Sequence, residues 1–137
     1  MNENIHKITI RIYYEDTDSL GLVYYANYLK FFERARSEAI YSLKLSNKIL
    51  LNQYSVLIIV KSCNIKYIRP AKLEDKLTIK SKVKSITKTS FVMKQVIHRE
   101  KQLITEADTH LVSVDQSGKP KKIPEILNKK LKKILVS

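Results

Sequence analysis

Residues 11–40 read RIYYEDTDSLGLVYYANYLKFFERARSEAI, and the pattern of side chains changes twice within this stretch. It opens inside a run, residues 7–14, in which apolar and polar side chains alternate as they do in a half-buried strand. From about residue 24 the apolar side chains recur every three or four positions, which predicts a long amphipathic helix. Between strand and helix lie three carboxylates: Glu15, Asp16 and Asp18.

The predicted helix begins near residues 24–26 and ends near residues 43–45. One face of it is apolar and the other is charged or polar. The mainly apolar stripe, which we expect to be buried, consists of Tyr25, Tyr28 or Leu29, Phe32, Ala35 or Arg36, Ala39 and Leu43.

Four further segments are rich in alternating or β-branched residues and predict strands: 55–69, 76–84, 90–100 and 103–115. Pro124 is suited to the first position of a short final helix, whose apolar side chains are Ile126, Leu127, Leu131, Ile134 and Leu135. The predicted order is strand, long helix, four strands and short helix. This order favours an α+β fold in which a mostly antiparallel five-stranded sheet wraps around the long helix.

Composition predicts a single cytoplasmic domain spanning residues 1–137. The chain has the balance of an ordinary globular protein, with 44% hydrophobic and 28% charged residues. Its start lacks the apolar stretch of a signal peptide. Cys63 is the only cysteine, which excludes an intrachain disulfide and a cysteine-rich zinc site.

The chain is strongly basic, with a formal net charge of +13. Residues 119–137, a basic amphipathic tail, contain seven lysines and one glutamate and so carry +6 of that total. Such an excess indicates either an anionic partner or a simple contribution to solubility. Charge alone does not decide between them.

The acidic cluster does not form a calcium loop. Asp16, Asp18 and Gly21 fit the first, third and sixth positions of the calcium-loop pattern. Leu20 and Asn27, however, stand where a ligand and the bidentate glutamate are required. The sequence therefore predicts no metal site here.

Two interpretations of the acidic cluster stay open on the residues alone. One is a solvated turn, since Asp, Ser and Gly form turns and an acidic group before a helix complements its dipole. The other is a catalytic carboxylate, because the aromatic neighbours in residues 13–25 would desolvate it and raise its basicity. Free N–H groups at the helix start could then stabilise an oxyanion.

Residues 11–40 resemble the signature of the hotdog-fold acyl-CoA thioesterases, in the Tol–Pal-associated branch related to 4-hydroxybenzoyl-CoA thioesterase. The elements that match in order and spacing are Tyr13-Tyr14-Glu15-Asp16-Thr17-Asp18, Gly21, Ala26-Asn27-Tyr28 and Phe32-Glu33-Arg34-Ala35-Arg36. Ile68-Arg69-Pro70-Ala71 and Lys88-Thr89-Ser90-Phe91 extend the similarity over nearly the whole chain. The resemblance implies a hotdog fold and hydrolysis of an acyl-CoA thioester to a free acid and CoA.

The resemblance also implies roles for individual residues. Asp18 is the catalytic carboxylate, which attacks the thioester carbonyl or deprotonates a water. Asp16 accepts backbone hydrogen bonds, and Gly21 permits the tight turn beside the substrate. The backbone N–H of Tyr25 polarises the carbonyl and Tyr14 lines the site. Many relatives have His at the position of Tyr25, so no proton-transfer role is carried over to its side chain.

For the nucleotide part of CoA the resemblance implies Lys88 and Arg69 as substrate-binding residues, with Arg36 and Arg99 as weaker candidates. Water and a carboxylate suffice for the reaction, so no metal or organic cofactor is expected. The expected assembly is a homodimer with a sheet continuous across the interface, or a homotetramer made from two such dimers.

Two other functions compete with acyl-CoA hydrolysis. A thioesterase acting on acyl carrier protein would suit the basic surface, because that carrier is acidic. A non-catalytic hotdog module would instead bind acyl groups, or a protein or lipid partner at the inner membrane, through the basic tail. A carboxylate at the position of Asp18 favours an enzyme. No RNA-binding motif accompanies the aromatic residues, so no nucleic-acid partner is expected.

Overall fold

The computed structural model describes residues 5–135. This part of the chain contains five strands: β1 (His6–Arg11), β2 (Leu57–Tyr67), β3 (Lys76–Ile86), β4 (Ser90–Arg99) and β5 (Gln102–Val114). Its α-helices are α1 (Asn27–Ser42), α2 (Asn47–Tyr54) and α3 (Glu125–Lys132). The strands form one sheet in the order β1-β3-β4-β5-β2, and every neighbouring pair is antiparallel. The predicted α+β class and hotdog arrangement are confirmed.

Helix α1 packs against the sheet as predicted, but the side chains it buries differ from the predicted stripe. The buried residues are Tyr28, Phe31, Phe32, Ala35 and Ala39. Tyr25 and Leu29 are 61% and 49% exposed, whereas Phe31 is 1% exposed. Tyr25 is exposed because it precedes the helix. Two adjacent phenylalanines are buried together because the curved sheet covers a wide arc of the helix.

Strand β1 is shorter than residues 7–14, the range predicted from the alternation. It ends at Arg11, and a 3₁₀ turn occupies Tyr14–Asp16. Tyr14, which the alternation placed on the same face as the buried isoleucines, is therefore 81% exposed. The backbone leaves the sheet because the N–H of Tyr13 binds the carboxylate of Asp16 instead of a neighbouring strand.

Helix α2 was not predicted from the sequence. Its N-terminus is capped by Ser46, whose hydroxyl accepts a hydrogen bond from the N–H of Ile49 at 3.0 Å. The turns at both of its ends contain a residue in the left-handed backbone conformation: Lys44 (φ 66°) and Ser55 (φ 56°). Glycine is the usual sign of such turns. Because lysine and serine stand there instead, the boundaries were not recognised in the sequence.

The basic tail packs onto the domain. Leu127 and Leu131 of α3 are fully buried, in a cluster with residues of α1, α2 and β4. Ile126, predicted to belong to the apolar stripe, is instead 37% exposed. Residues 136 and 137 of the predicted tail lie outside the described residues.

Two lysines of this tail bind the carboxyl ends of helices. Lys130 Nζ donates a hydrogen bond to the carbonyl of Leu43, the residue that ends α1. Lys121 Nζ donates to the carbonyl of Tyr54, the last residue of α2, at 3.1 Å. A positive charge at this end of a helix complements its dipole and satisfies carbonyls that have no partner within the helix.

Strand β2 forms one edge of the sheet. It pairs with β5 along one side, and no strand among residues 5–135 pairs with its other side. The strand is 11 residues long, and Ile59 and Val60 are 45% and 50% exposed. A long, apolar, unpaired edge is a surface that proteins normally cover. Among residues 5–135, no helix has the length and apolar character to cross a membrane.

Candidate active site

A small hairpin carries the acidic cluster. Thr17 and Val23 form an antiparallel bridge, and the N–H of Asp18 donates to the carbonyl of Leu22 at 2.8 Å. The hairpin turns at Gly21, whose φ of 78° lies in the left-handed region that favours glycine. The tight turn expected at Gly21 is therefore present.

The Asp18 carboxylate is fixed by this turn through one of its two oxygens. Oδ1 accepts hydrogen bonds from the backbone N–H groups of Leu20 (2.8 Å) and Leu22 (3.1 Å). Among residues 5–135, no group donates to Oδ2. The side chain therefore has a defined orientation and retains one oxygen available for chemistry.

Asp16 joins the acidic loop to the start of α1. Its Oδ2 accepts a hydrogen bond from the N–H of Tyr13 at 2.9 Å. Its carbonyl oxygen accepts two more, from the N–H of Tyr24 (3.0 Å) and from the side-chain amide of Asn27 (2.8 Å). These contacts hold the hairpin against the helix and suit the structural role expected of Asp16.

Asp16→Asn is expected to act mainly on stability. The substitution replaces a charge-assisted hydrogen bond to Tyr13 with a neutral one, which should lower the free energy of unfolding by about 1 kcal/mol. Urea denaturation measures this loss, and kcat should fall much less than it does for a substitution of Asp18. An unchanged free energy of unfolding together with a hundredfold loss of kcat would reverse the roles assigned to the two aspartates.

Tyr25 lies just before α1, at the end where the helix dipole is positive. Within the described part of the chain its N–H donates no hydrogen bond, whereas the preceding N–H, of Tyr24, is bound to Asp16. A free N–H beside a helix N-terminus can stabilise negative charge on an oxygen. The structure therefore places a free hydrogen-bond donor, the N–H of Tyr25, in the segment that directly follows the hairpin of Asp18.

An aromatic cluster surrounds this donor. The ring of Tyr67, at the end of β2, contacts those of Tyr25 and Tyr28 edge-on, with centroids 6.3 Å and 5.5 Å apart. The Tyr67 hydroxyl donates to the carbonyl of Tyr25 at 3.3 Å. The Tyr28 hydroxyl accepts from the N–H of Ala71 at 3.2 Å. Burial raises the pKa of both Tyr28 and Tyr67, so both phenols are protonated at neutral pH.

Sequence reasoning assigned no role to Tyr67. The alternation of Cys63, Ile65 and Tyr67 against polar neighbours placed these three on one face of a strand, which was the only available signal. The contact with the start of α1 joins residues 42 positions apart in the sequence. Local pattern alone does not reveal such a contact.

The surroundings of Asp18 are more open than the sequence indicated. Tyr14 lies with Asp18 and Gly21 around an open depression, but it and Leu20 are each 81% exposed. The expectation that neighbouring aromatic residues desolvate the carboxylate is not met within one chain, because those side chains are themselves exposed. Exclusion of water requires a substrate or a second subunit.

Lys88 and Asp18 lie at opposite ends of β3. Hydrogen bonds from Ile12 N to Asp75 O and from Glu74 N to Ile12 O, both 2.9 Å, place the acidic loop at the start of this strand. The strand then spans 11 residues, or roughly 35 Å at the usual rise, before the turn that contains Lys88. One chain therefore does not bring Lys88 to its own Asp18.

Arg69 lies at the same end of the sheet as Asp18. Its guanidinium donates to the carbonyl of Leu103 at 3.0 Å. Two residues later, the carbonyl of Ala71 accepts the N–H of Val23, from the hairpin that carries Asp18, at 2.9 Å. Arg69 is exposed, so part of its guanidinium is accessible to a ligand.

The weaker candidates for CoA binding, Arg36 and Arg99, are engaged inside the protein. Arg36 donates to the buried side chain of Gln95 at 3.2 Å. Arg99 forms an ion pair with Asp75 at 2.6 Å and also binds Gln102. Over residues 5–135 there is no group of three or more His, Cys, Asp or Glu side chains arranged to hold a metal ion.

Comparisons with known proteins agree with this architecture. The family model described as "Thioesterase-like superfamily" matches residues 13–131. "Acyl-CoA thioester hydrolase YbgC" of Escherichia coli O157:H7 is 36% identical over 127 residues, covering 91% of this chain and 94% of that protein. "Acyl-CoA thioesterase YbgC" of Haemophilus influenzae is 35% identical, covering 84% of this chain and 85% of that protein.

A solved structure also indicates the thioesterase family. The crystal structure of a probable thioesterase from Bartonella henselae superposes with a TM-score of 0.84 at 32% identity, covering 88% of this chain and 99% of that chain. The resemblance seen in residues 11–40 is thereby confirmed. The chain belongs to the thioesterase-like superfamily.

Proposed function

We propose that this protein hydrolyses acyl-CoA thioesters, with Asp18 as the catalytic carboxylate and the N–H of Tyr25 as the oxyanion donor. The observation that carries the proposal is the Asp18 side chain itself. Two backbone N–H groups orient it, one of its oxygens is free, and a hairpin ties it to a helix start with an unengaged N–H. Relatives more than 30% identical over most of the chain are acyl-CoA thioester hydrolases.

In the nucleophilic form of the mechanism, Asp18 Oδ2 attacks the thioester carbonyl and forms a tetrahedral intermediate. Its oxyanion accepts the hydrogen bond from Tyr25 N–H, and collapse expels the CoA thiolate to leave a mixed anhydride. Water then cleaves the anhydride, releasing the acid and restoring the carboxylate. In the general-base form, Oδ2 takes a proton from a water that attacks the same carbonyl. Both forms use the same atoms of the chain.

Binding of CoA calls for a second subunit. Arg69 lies at the Asp18 end of the protomer, whereas Lys88 lies at the far end of β3. Antiparallel pairing of two β2 edges would bring the far end of one protomer towards the active site of the other. We therefore propose a homodimer with a continuous sheet, in which Arg69 of one chain and Lys88 of its partner contact the phosphates of CoA. Pairing of two dimers would give a tetramer.

Acyl carrier protein is a second candidate acyl donor. An open groove between the β3–β4 turn and α3 is lined by Lys84, Lys88, Lys122 and Lys132, with Glu125 as its one carboxylate. An acidic carrier would bind such a groove by charge complementarity, so hydrolysis of its thioester should fall steeply as salt is added. If acyl-CoA is hydrolysed faster than the thioester of acyl carrier protein, and with less sensitivity to salt, acyl-CoA is the favoured substrate.

Peripheral attachment to the inner membrane, the non-catalytic alternative, would depend mainly on charge. The apolar residues Leu127 and Leu131 of α3 are buried in the domain, so they are not available to enter a lipid surface. The exposed side of that helix would offer its lysines and one partly exposed apolar side chain, Ile126. This arrangement favours weak, salt-sensitive attachment over insertion.

A panel of acyl-CoA substrates tests the proposed activity. Short aliphatic, long aliphatic and aromatic acyl-CoAs are incubated with the protein, and free thiol is measured over time. At least one class should be hydrolysed well above the rate without protein, and the order of rates would identify the acyl preference. If none of the three acyl-CoA classes releases thiol, the proposed function is wrong.

A further inference from the structure

We infer that Tyr67 is a positioning residue for the hydrolysis proposed above: its hydroxyl fixes the peptide that follows the oxyanion donor, Tyr25 N–H. This inference rests on the proposed function. It adds a residue on a different element of the fold, the edge strand β2, to the groups on which the rate depends.

The Tyr25 N–H belongs to the peptide between Tyr24 and Tyr25, whose carbonyl, that of Tyr24, accepts from Asn27 N–H at 2.8 Å. Its direction relative to the rest of the site depends in addition on the peptides before and after it. Each peptide unit is planar and moves as a rigid group. The peptide preceding Tyr24 is held by the hydrogen bond from Tyr24 N–H to the carbonyl of Asp16 at 3.0 Å. The peptide following Tyr25 is held through its carbonyl, which accepts from the Tyr67 hydroxyl and from Tyr28 N–H, both at 3.3 Å. The unengaged N–H lies between these two anchors.

Of these anchors, only the Tyr67 hydroxyl comes from outside the loop and helix that contain the donor. The Tyr67 ring is held in place by its edge-on contacts with Tyr25 and Tyr28. Tyr28 in turn is fixed through its hydroxyl to Ala71 and is 3% exposed. A rigid ring carrying a directed O–H is suited to hold a carbonyl in one orientation.

The consequence for catalysis follows from how an oxyanion donor works. It stabilises the transition state only when it already points at the position that the oxyanion will occupy. Asn27 N–H and Tyr28 N–H bind the carbonyls of Tyr24 and Tyr25, so the helix start moves as one unit with the donor. Without the Tyr67 hydroxyl this unit loses its tie to β2 and can shift relative to Asp18, and part of the population presents a misdirected N–H. The effect should appear in kcat and not in KM, because the donor acts on charge that develops after binding.

Tyr67→Phe removes the hydroxyl and keeps the ring contacts. Loss of an entire oxyanion donor costs about a hundredfold or more, so loosening one should lower kcat by about tenfold. KM should change by less than about twofold. Tyr54→Phe is the matched control: it removes the hydroxyl of a partly buried tyrosine on a different element, at the end of α2, and should leave kcat unchanged. Urea denaturation verifies that both variants are folded.

A spectroscopic measurement separates positioning from a structural role. The acyl-CoA that the panel shows to be hydrolysed fastest is labelled at its carbonyl carbon and bound to the Asp18→Asn variant. A polarised carbonyl absorbs at a lower infrared frequency than the free thioester. Adding Tyr67→Phe should return the band towards the frequency of the free thioester, whereas adding Tyr54→Phe should not move it.

The outcomes are distinguishable. If the unsubstituted protein hydrolyses acyl-CoA and Tyr67→Phe changes neither kcat nor the carbonyl band, this inference is overturned and the proposed function stands. If the unsubstituted protein hydrolyses no acyl-CoA, the proposed function fails and this inference fails with it. A drop in kcat with an unmoved carbonyl band would assign Tyr67 a structural role and overturn the positioning role.

Discussion

Asp18→Asn should lower kcat by roughly a hundredfold or more, as expected for the loss of a positioned nucleophile or base. The substitution keeps the size of the side chain and leaves an oxygen able to accept from the N–H groups of Leu20 and Leu22. The turn should therefore persist, and acyl-CoA should still bind. Steady-state kinetics measures kcat, and calorimetric titration with a substrate analogue measures binding.

Glu15→Gln is the matched control for this experiment. Glu15 belongs to the same acidic cluster and is exposed, and the substitution removes the same charge. Its kcat should remain within about twofold of the original, because the exposed Glu15 side chain makes no hydrogen bond within residues 5–135 and has no proposed role in the chemistry. If Asp18→Asn hydrolyses acyl-CoA at the original rate, the catalytic assignment is wrong and the acidic cluster is a solvated turn.

Val60→Lys should separate the proposed dimer and abolish most of the activity. Val60 is half exposed on the unpaired edge strand β2, and pairing with a second copy would bury it. A buried charge without a partner costs about 3–5 kcal/mol, which raises the dissociation constant by about a hundredfold or more. Light scattering at micromolar concentration should show a monomer, and kcat/KM should fall because CoA loses its contacts with the partner subunit.

Ile126→Lys provides the comparison. Ile126 is also an exposed apolar residue, but it belongs to α3 and not to the edge strand. The substitution adds the same charge and should change neither the mass in solution nor kcat/KM. A monodisperse monomer of the unsubstituted protein that is fully active would contradict the dimer.

The sequence predicted those elements whose side-chain period is long and unbroken. β4 and β5 were predicted as residues 90–100 and 103–115, within one residue of their observed ends, because alternation over ten or more positions leaves a single register. Helix α1 was placed within one to three residues at each end. Its buried face was only partly correct, since burial of Phe31 depends on the curvature of the sheet and not on the helix alone.

The parts of the site that involve distant segments were not predictable in the same way. The resemblance assigned the catalytic carboxylate to Asp18 and the oxyanion donor to Tyr25, two residues that a local hairpin joins. It gave no indication that Lys88 lies at the opposite end of β3, or that the hydroxyl of Tyr67 reaches the start of α1. Both depend on how β2 and β3 are positioned in the completed sheet. Local pattern does not encode that arrangement.

The binding of Lys121 and Lys130 to helix ends bears on how the protein tolerates chemical modification. Acetylation of a surface lysine usually changes only the electrostatic field around the protein. At these two positions it would also remove the cation that satisfies a carbonyl at the end of a helix. The loss would destabilise the carboxyl ends of α1 and α2. Charge-reducing redesign of the basic tail, for instance to improve crystallisation, should therefore retain these two residues and alter Lys129 or Lys133 instead.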